Sequence, residues 1–232
     1  MPSYSQSVQP TYLNGEYAHK TDGSWHLEDS PYKATQVLAM LKRHPSLCPT
    51  TVCDIGAGAG GVLRQLAEQL PSIERLTGYE VSPQAHALSQ QFRSNRCSFV
   101  CGDAFEDGIH YDLALVLDVV EHVEDSFSFI RQCASKADWK IYNIPLDTSA
   151  SMVLRGQHCW ETVGHLHLFT METAIKAIQH CGQKVVDSFL APTAIERPHR
   201  AATYFTNVGR RLLPTRLASR LLGGYSLMVL AQ

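Results

Sequence analysis

Thr51-Val52-Cys53-Asp54-Ile55-Gly56-Ala57-Gly58-Ala59-Gly60-Gly61 is the stretch on which the fold turns. Its first half is β-branched and apolar and reads as a buried strand; the glycines after it read as a strand-to-helix turn. Glycine permits a sharp reversal there and lets a ligand approach bare backbone. A helix follows, with Val62, Leu63, Leu66 and Leu70 on one face and Pro71 as its stop.

Outward from this turn the chain keeps alternating. Residues 75–81 read as a second strand, and Ser82-Pro83 opens a helix carrying Ala85, Leu88 and Phe92 at helical spacing. A short strand over 97–101 leads into Gly102-Asp103-Ala104. Residues 112–117 form a strongly apolar strand, 123–136 a helix and 139–144 a fifth strand. Thr170 is expected to cap a helix running to Cys181, with Ile175 and Ile178 inward and Gly182 as the stop. Residues 184–190 and 225–230 read as the last two strands. Upstream, Ser30 as N-cap and Pro31 open a helix with Ala34, Val37, Leu38 and Leu41 on its apolar face, ended by His44-Pro45. Strands alternating with helices argue an α/β fold with a parallel sheet and right-handed crossovers. The expected organisation is an N-terminal arm and helix over 1–48 and one domain over 49–232, with inserted segments at about 145–169 and 191–224.

Composition narrows the classes. The chain has 232 residues, 20 Lys+Arg against 22 Asp+Glu and 44% hydrophobic residues, so it is neither a disordered polyelectrolyte nor a global polycation built for nucleic acid. The richest apolar run, from Leu113 to Val120, is interrupted by Asp118 and is far short of a bilayer span. The first residues, MPSYSQSVQP, lack the charged and apolar regions of a secretory signal. The seven cysteines, Cys48, Cys53, Cys97, Cys101, Cys133, Cys159 and Cys181, are odd in number and include no C-x-x-C, which argues against a disulfide framework or zinc knuckle and for a cytoplasmic location.

The glycine turn has acidic companions. Asp54 precedes the first glycine by two residues, Glu80 ends the second strand, and Asp103, Asp118 and Glu121 fall just after later strands. In doubly wound sheets that edge binds ligands. A carboxylate at Glu80 is placed to accept both ribose hydroxyls of a nucleoside. Gly56-x-Gly58-x-x-Gly61 also satisfies the dinucleotide fingerprint, a weak motif alone. Charge separates the two ligands: like charges about 4 Å apart at an effective dielectric near 20 repel by roughly 4 kcal/mol. A pyrophosphate is poorly served by this rim. S-adenosylmethionine, with a sulfonium, an ammonium and one carboxylate, suits it.

These motifs together resemble the class I S-adenosylmethionine-dependent methyltransferases, over about residues 50–190 and the strand at 225–230. The resemblance implies a Rossmann-like, doubly wound, seven-stranded, mostly parallel sheet of order 3-2-1-4-5-7-6 with an antiparallel last strand. It implies S-adenosyl-L-methionine as cofactor, with Asp54 and Gly56, Ala57 and Gly58 at the methionine end. Glu80 and Val81 would hold the ribose, Gly102, Asp103 and Ala104 the adenine, and Asp118-Val119 the methyl side. Asp118-x-x-Glu121-His122, with Gly164-His165-Leu166-His167-Leu168-Phe169-Thr170, is similar to the subfamily of ubiquinone-biosynthesis O-methyltransferases. Some relatives bind a divalent cation through an acid-x-x-Glu-His cluster. Here the first acid is Asp118, one methylene shorter, so no metal is assigned.

The sulfonium is a good leaving group, so the protein mainly orients the acceptor. A neutral hydroxyl acceptor benefits from a base; His122 is the first candidate and His165 the second. Alternatively, Glu121-His122 caps the helix after the fourth strand. His165 and His167 alternate along an extended segment and face opposite ways, so at least one is structural. His158, Trp160 and Glu161 lie where the family builds acceptor pockets, and Trp25 and His26 either close over the cofactor or pack. Arg197, Arg200, Arg210, Arg211, Arg216 and Arg220, with Leu213, Leu217 and Leu221, form a solvated lid or contact an anionic or lipid-like acceptor. Two other functions stay open, an NAD-dependent oxidoreductase and a non-catalytic cofactor-binding protein. The absent Asn/Asp-Pro-Pro-Tyr/Phe signature weakens a nucleic-acid substrate.

Overall fold

The strand β1 (Thr51–Ile55) lies at the middle of a seven-stranded sheet, flanked by β2 (Arg75–Glu80) and β4 (Tyr111–Leu117). The computed structural model describes residues 23–25, 27–155, 164–193 and 208–232. With β3 (Cys97–Cys101), β5 (Ala137–Pro145), β6 (Val185–Pro192) and β7 (Tyr225–Ala231), the strand order is β3-β2-β1-β4-β5-β7-β6. The pairs among β1 to β5 are parallel, and β7 runs antiparallel to both β5 and β6. The expected topology is therefore the observed one.

Alternation along β4 builds both layers. Leu113, Leu115 and Leu117 pack with α1 (Ser30–Arg43) and α2 (Gly61–Gln69), while Ala114 and Val116 face the opposite core with α4 (Ser126–Lys136) and α6 (Met171–His180). A strand buried on both faces reads as a continuous apolar run, which is why 112–117 stood out. Further helices among the described residues include α3 (Pro83–Ser89), α5 (Ala150–Arg155) and α7 (Thr215–Leu222). Thus the connections at 145–169 and 191–224 each contain a helix. Among the described residues, no helix is long and apolar enough to cross a membrane.

Two local expectations change. Asp29, not Ser30, occupies the N-cap of α1, and Ser30 is its buried first residue. The chain enters the helix through a 3₁₀ turn, Leu27–Asp29, so that Ser30 is already within it, and Ser30 packs against Gly61. The helix expected over 123–136 begins at Ser126, capped by Asp125, whose Oδ1 accepts from the Ser128 amide at 2.9 Å. Glu121 and His122 instead occupy a 3₁₀ turn, Val120–His122, and do not cap that helix. Thr170 caps α6 as expected, reciprocally with Thr173.

His26, His158, Cys159, Trp160, Glu161, Arg197 and Arg200 lie outside the described residues. The other six cysteines are free thiols.

Candidate active site

The glycine turn is tied to β2 by backbone. The amides of Gly56 and Ala57 both donate to the Tyr79 carbonyl at 2.9 Å. The Gly58 amide donates to Glu80 Oε2 at 2.8 Å, and the Ser82 amide to Glu80 Oε1 at 2.8 Å. Each Glu80 oxygen thus has one backbone donor and keeps lone-pair capacity for a ligand. Burial raises the Glu80 pKa, and these amides act against that rise. The Gly102 amide donates to the Glu80 carbonyl at 2.9 Å, which places Asp103 beside the same strand end. Asp103 is itself held by the Phe105 amide, 2.9 Å from its Oδ1.

Glycine is required at the head of the turn. Gly56 has φ +78°, and a Cβ on it would lie 2.7 Å from Val119 Cγ2. The close approach locks the turn after β1 against the segment after β4. The Trp25 carbonyl lies 3.9 Å from where a Cβ on Gly58 would be, so the N-terminal arm reaches this turn.

Asp54 is 2% exposed, and its Oδ1 has no hydrogen-bond partner among the described residues. Burial pushes its pKa up to about 7; Lys33 opposes the rise and Glu80 adds to it. A buried, unpartnered carboxylate oxygen costs free energy until a donor or cation arrives. The amine of an S-adenosylmethionine methionine arm is such a group, so the residues fit that cofactor.

Lys33, which the sequence reading passed over, enters this acidic edge from α1. Its Nζ lies 2.7 Å from Asp118 Oδ2. Burial works to lower its pKa, and Asp118 beside it more than offsets that, leaving the ammonium above its ordinary value. Asn143 Nδ2 donates to Asp118 Oδ1 at 2.7 Å, and the Asp118 backbone is held at φ +57°. Asp118 is therefore engaged through both oxygens. The only sequence signal for Lys33 was a lysine beside the apolar face of a helix, which is common.

Beyond Asp118-Val119 lies a second cluster. Glu121 is fully buried, and neither carboxyl oxygen has a hydrogen-bond partner among the described residues. Burial first, and then Asp118, push its pKa well above the usual carboxylate range. His122 Nδ1 donates to the Gly164 carbonyl at 3.1 Å, and its Nε2 lies 4.0 Å from Glu121 Oε1. Burial, and next the neighbouring His165, lower its pKa to about 4, so His122, the first candidate, is a weak base as placed. The His165 ring meets that of His122 edge-on, centroids 4.7 Å apart. Its Nδ1 bonds to Asp147 Oδ2, a partner the sequence reading missed. His167 points away, with Nε2 donating to the Val123 carbonyl at 2.8 Å, and is structural. The Leu166 and His167 amides also bond the Glu121 carbonyl, at 2.8 and 3.1 Å, which clamps this segment onto the end of β4.

The strand order and the glycine turn after β1 define a doubly wound α/β protein. Residues 53–137 match the model of a methyltransferase domain. The chain is 33% identical over 107 residues to a ubiquinone biosynthesis O-methyltransferase of Nitrosospira multiformis, covering 43% of this chain and 44% of that one. It is 34% identical over 97 residues to norajmaline N-methyltransferase of Rauvolfia serpentina, covering 38% and 32%. The chain therefore spans less than half the length of these curated relatives. Magnesium protoporphyrin IX methyltransferase of Synechocystis, solved with bound SAH, superposes with a TM-score of 0.60 at 20% identity, covering 86% of this chain and 81% of that one, a likeness of fold. Over residues 53–137, from β1 to the start of β5, the chain is thus similar to a methyltransferase domain.

Proposed function

We propose that this chain transfers the methyl group of S-adenosyl-L-methionine to a small-molecule acceptor, in the cytoplasm. The observation that carries the reading is Asp54: a buried carboxylate at the foot of a glycine turn, with an oxygen that has no hydrogen-bond partner among the described residues. Asp54 and the Gly56–Gly58 backbone take the methionine end. Glu80 and Val81 hold the ribose, Gly102, Asp103 and Ala104 the adenine, and Asp118-Val119 the methyl side.

The reaction is an in-line displacement: the acceptor's lone pair forms the bond to carbon, the carbon–sulfur bond breaks, and S-adenosylhomocysteine leaves. Most of the rate then comes from orientation. A hydroxyl acceptor must also lose its proton, and His165 is assigned to that activation, with His122, a weak base as placed, packed edge-on beside it. Asp147 supports the assignment by fixing the His165 ring. An anionic or lipid-like acceptor is proposed to contact the basic segment at Arg216, which lies beside Leu146 and Met171; Arg220 nearby is paired with Glu172. The printed names of the two curated relatives, an O- and an N-methyltransferase, leave the acceptor atom to experiment.

The test is incubation with methyl-labelled cofactor and cell extract, followed by partition of label into organic, aqueous, RNA and protein fractions. Label in a small-molecule fraction is expected. Label confined to RNA or protein, or cofactor binding without transfer, contradicts the reading.

A further inference from the structure

The backbone of Tyr79 holds the glycine turn, since its carbonyl takes the amides of Gly56 and Ala57. Its hydroxyl reaches a different segment. It donates to Asp107 Oδ2 and, with its single proton so used, accepts from the Tyr111 hydroxyl at 2.7 Å. Asp107 lies in the loop between β3 and β4 that carries Asp103. Its Oδ1 accepts from the Ile109 amide at 2.9 Å and from Lys136 Nζ at 2.5 Å. Lys136 is the last residue of α4 and is buried. Its ammonium sits 4.8 Å from the centroid of the Tyr79 ring and 5.4 Å from that of Tyr111, within reach of both aromatic faces.

A buried ammonium is costly without an acceptor, so Lys136 favours one placement of the Asp107 carboxylate. In that placement the carboxylate also takes a tyrosine hydroxyl and a loop amide. Burial works to raise the Asp107 pKa, and Lys136 and then Tyr79 more than offset it, so the group stays ionised and accepting. The loop is fixed at its other end too, by the Gly102 amide on the Glu80 carbonyl at 2.9 Å. Between the two ends Ala104 is fully buried, and the Phe105 ring meets that of Phe129 edge-on, centroids 5.8 Å apart.

We infer that Tyr79, Asp107 and Lys136 are positioning residues for cofactor recognition: they tie the loop carrying Asp103, and with it the adenine subsite, to the core on the α4 side of the sheet. The adenine subsite rests on the proposed function; the anchoring of the loop does not. Tyr79 and Lys136 are buried and act through Asp107. Tyr79 thereby serves two parts of one cleft, the glycine turn through its carbonyl and the adenine loop through its hydroxyl. Tyr79→Phe keeps the carbonyl and removes the hydroxyl, so it separates the two.

Amide exchange of the full chain is followed by NMR without cofactor. In Tyr79→Phe the Phe105 and Ile109 amides should exchange about 10-fold faster, while those of Gly56 and Ala57 keep the wild-type rate. S-adenosylhomocysteine is then titrated by calorimetry. Tyr79→Phe and Lys136→Met should each bind it about 10-fold more weakly than wild type. Added to Asp103→Asn, Tyr79→Phe should cost less than about 3-fold more, because it acts through the loop that holds Asp103. Tyr142→Phe removes a buried hydroxyl bonded instead to Gln183 at 3.1 Å, and should bind within about 3-fold of wild type. Lys136→Met leaves Asp107 exposed to water and keeps the test decisive should Tyr79→Phe unfold. Unchanged exchange at Phe105 and Ile109, wild-type affinity in both variants, a fully additive loss with Asp103→Asn, or an equal loss in Tyr142→Phe overturns the inference. A wild-type chain that gives no heat with S-adenosylhomocysteine overturns the proposed function with it; a wild-type chain that binds while the variants bind equally overturns this inference alone.

Discussion

The two halves of the sheet's carboxyl edge are built by different means. On the β1–β3 side, main-chain amides of Gly56, Ala57, Gly58 and Ser82 hold the turn and Glu80 in place. On the β4–β5 side, Lys33, Asn143, His165 and Asp147 converge through side chains, from a helix before the sheet, a strand and a connecting segment. The first half is held mainly by main-chain hydrogen bonds and is the part proposed to take the cofactor. The second is assembled from pieces that can vary with the acceptor, as loops on a fixed scaffold do. Damage to one half should therefore leave the other intact, and the variants below test that separation.

The largest effect is expected from Gly56→Ala. The new methyl meets Val119 at 2.7 Å, and φ +78° is strained for alanine. Calorimetric titration should show S-adenosylhomocysteine binding weakened by about 100-fold or more, at a cost of about 1–3 kcal/mol in stability by denaturant unfolding. Since Val119 links the halves, this variant should disturb both. Glu80→Gln should be confined to the cofactor half. One charge-assisted bond is lost, and cofactor affinity should fall by about 10- to 100-fold. His165→Ala should do the reverse: turnover of a hydroxyl acceptor falls by about 100-fold, with cofactor affinity within about 3-fold of wild type. Loss of cofactor binding in that variant would break the separation.

The smallest effect concerns pH. The Asp54 pKa, raised by burial to about 7, lies above its value of about 4 in the unfolded chain. A raised carboxyl favours the folded state at low pH, and that contribution is lost as pH rises from about 4 through 7. A ligand ammonium rewards the ionised form. Thermal stabilisation by S-adenosylhomocysteine should thus be greater at pH 8 than at pH 5.5, and Asp54→Asn should flatten the difference.

The contrast also explains what could be read from the sequence. The cofactor half was legible because its parts are local: a strand, a glycine run and an acid at each following strand end, in fixed order. The parallel α/β class followed from the same pattern, and the strand order from the family resemblance. Lys33 was hidden because a lysine on an amphipathic helix is ordinarily solvated. Asp147 was hidden because its meaning comes only from the return of the chain at His165, 18 residues later. Glu121 and His122 were noticed, but helix capping competed with chemistry until the 3₁₀ turn separated them from α4. Side-chain constellations drawn from distant segments leave no spacing to recognise.

One titration reaches the centre of the account. The full chain is titrated calorimetrically with S-adenosylhomocysteine and, separately, with NAD. A cleft that accommodates an amine at Asp54 and rejects phosphate should bind the first at one site and give no heat with the second. Saturable NAD binding with no response to the adenosyl ligand would contradict it.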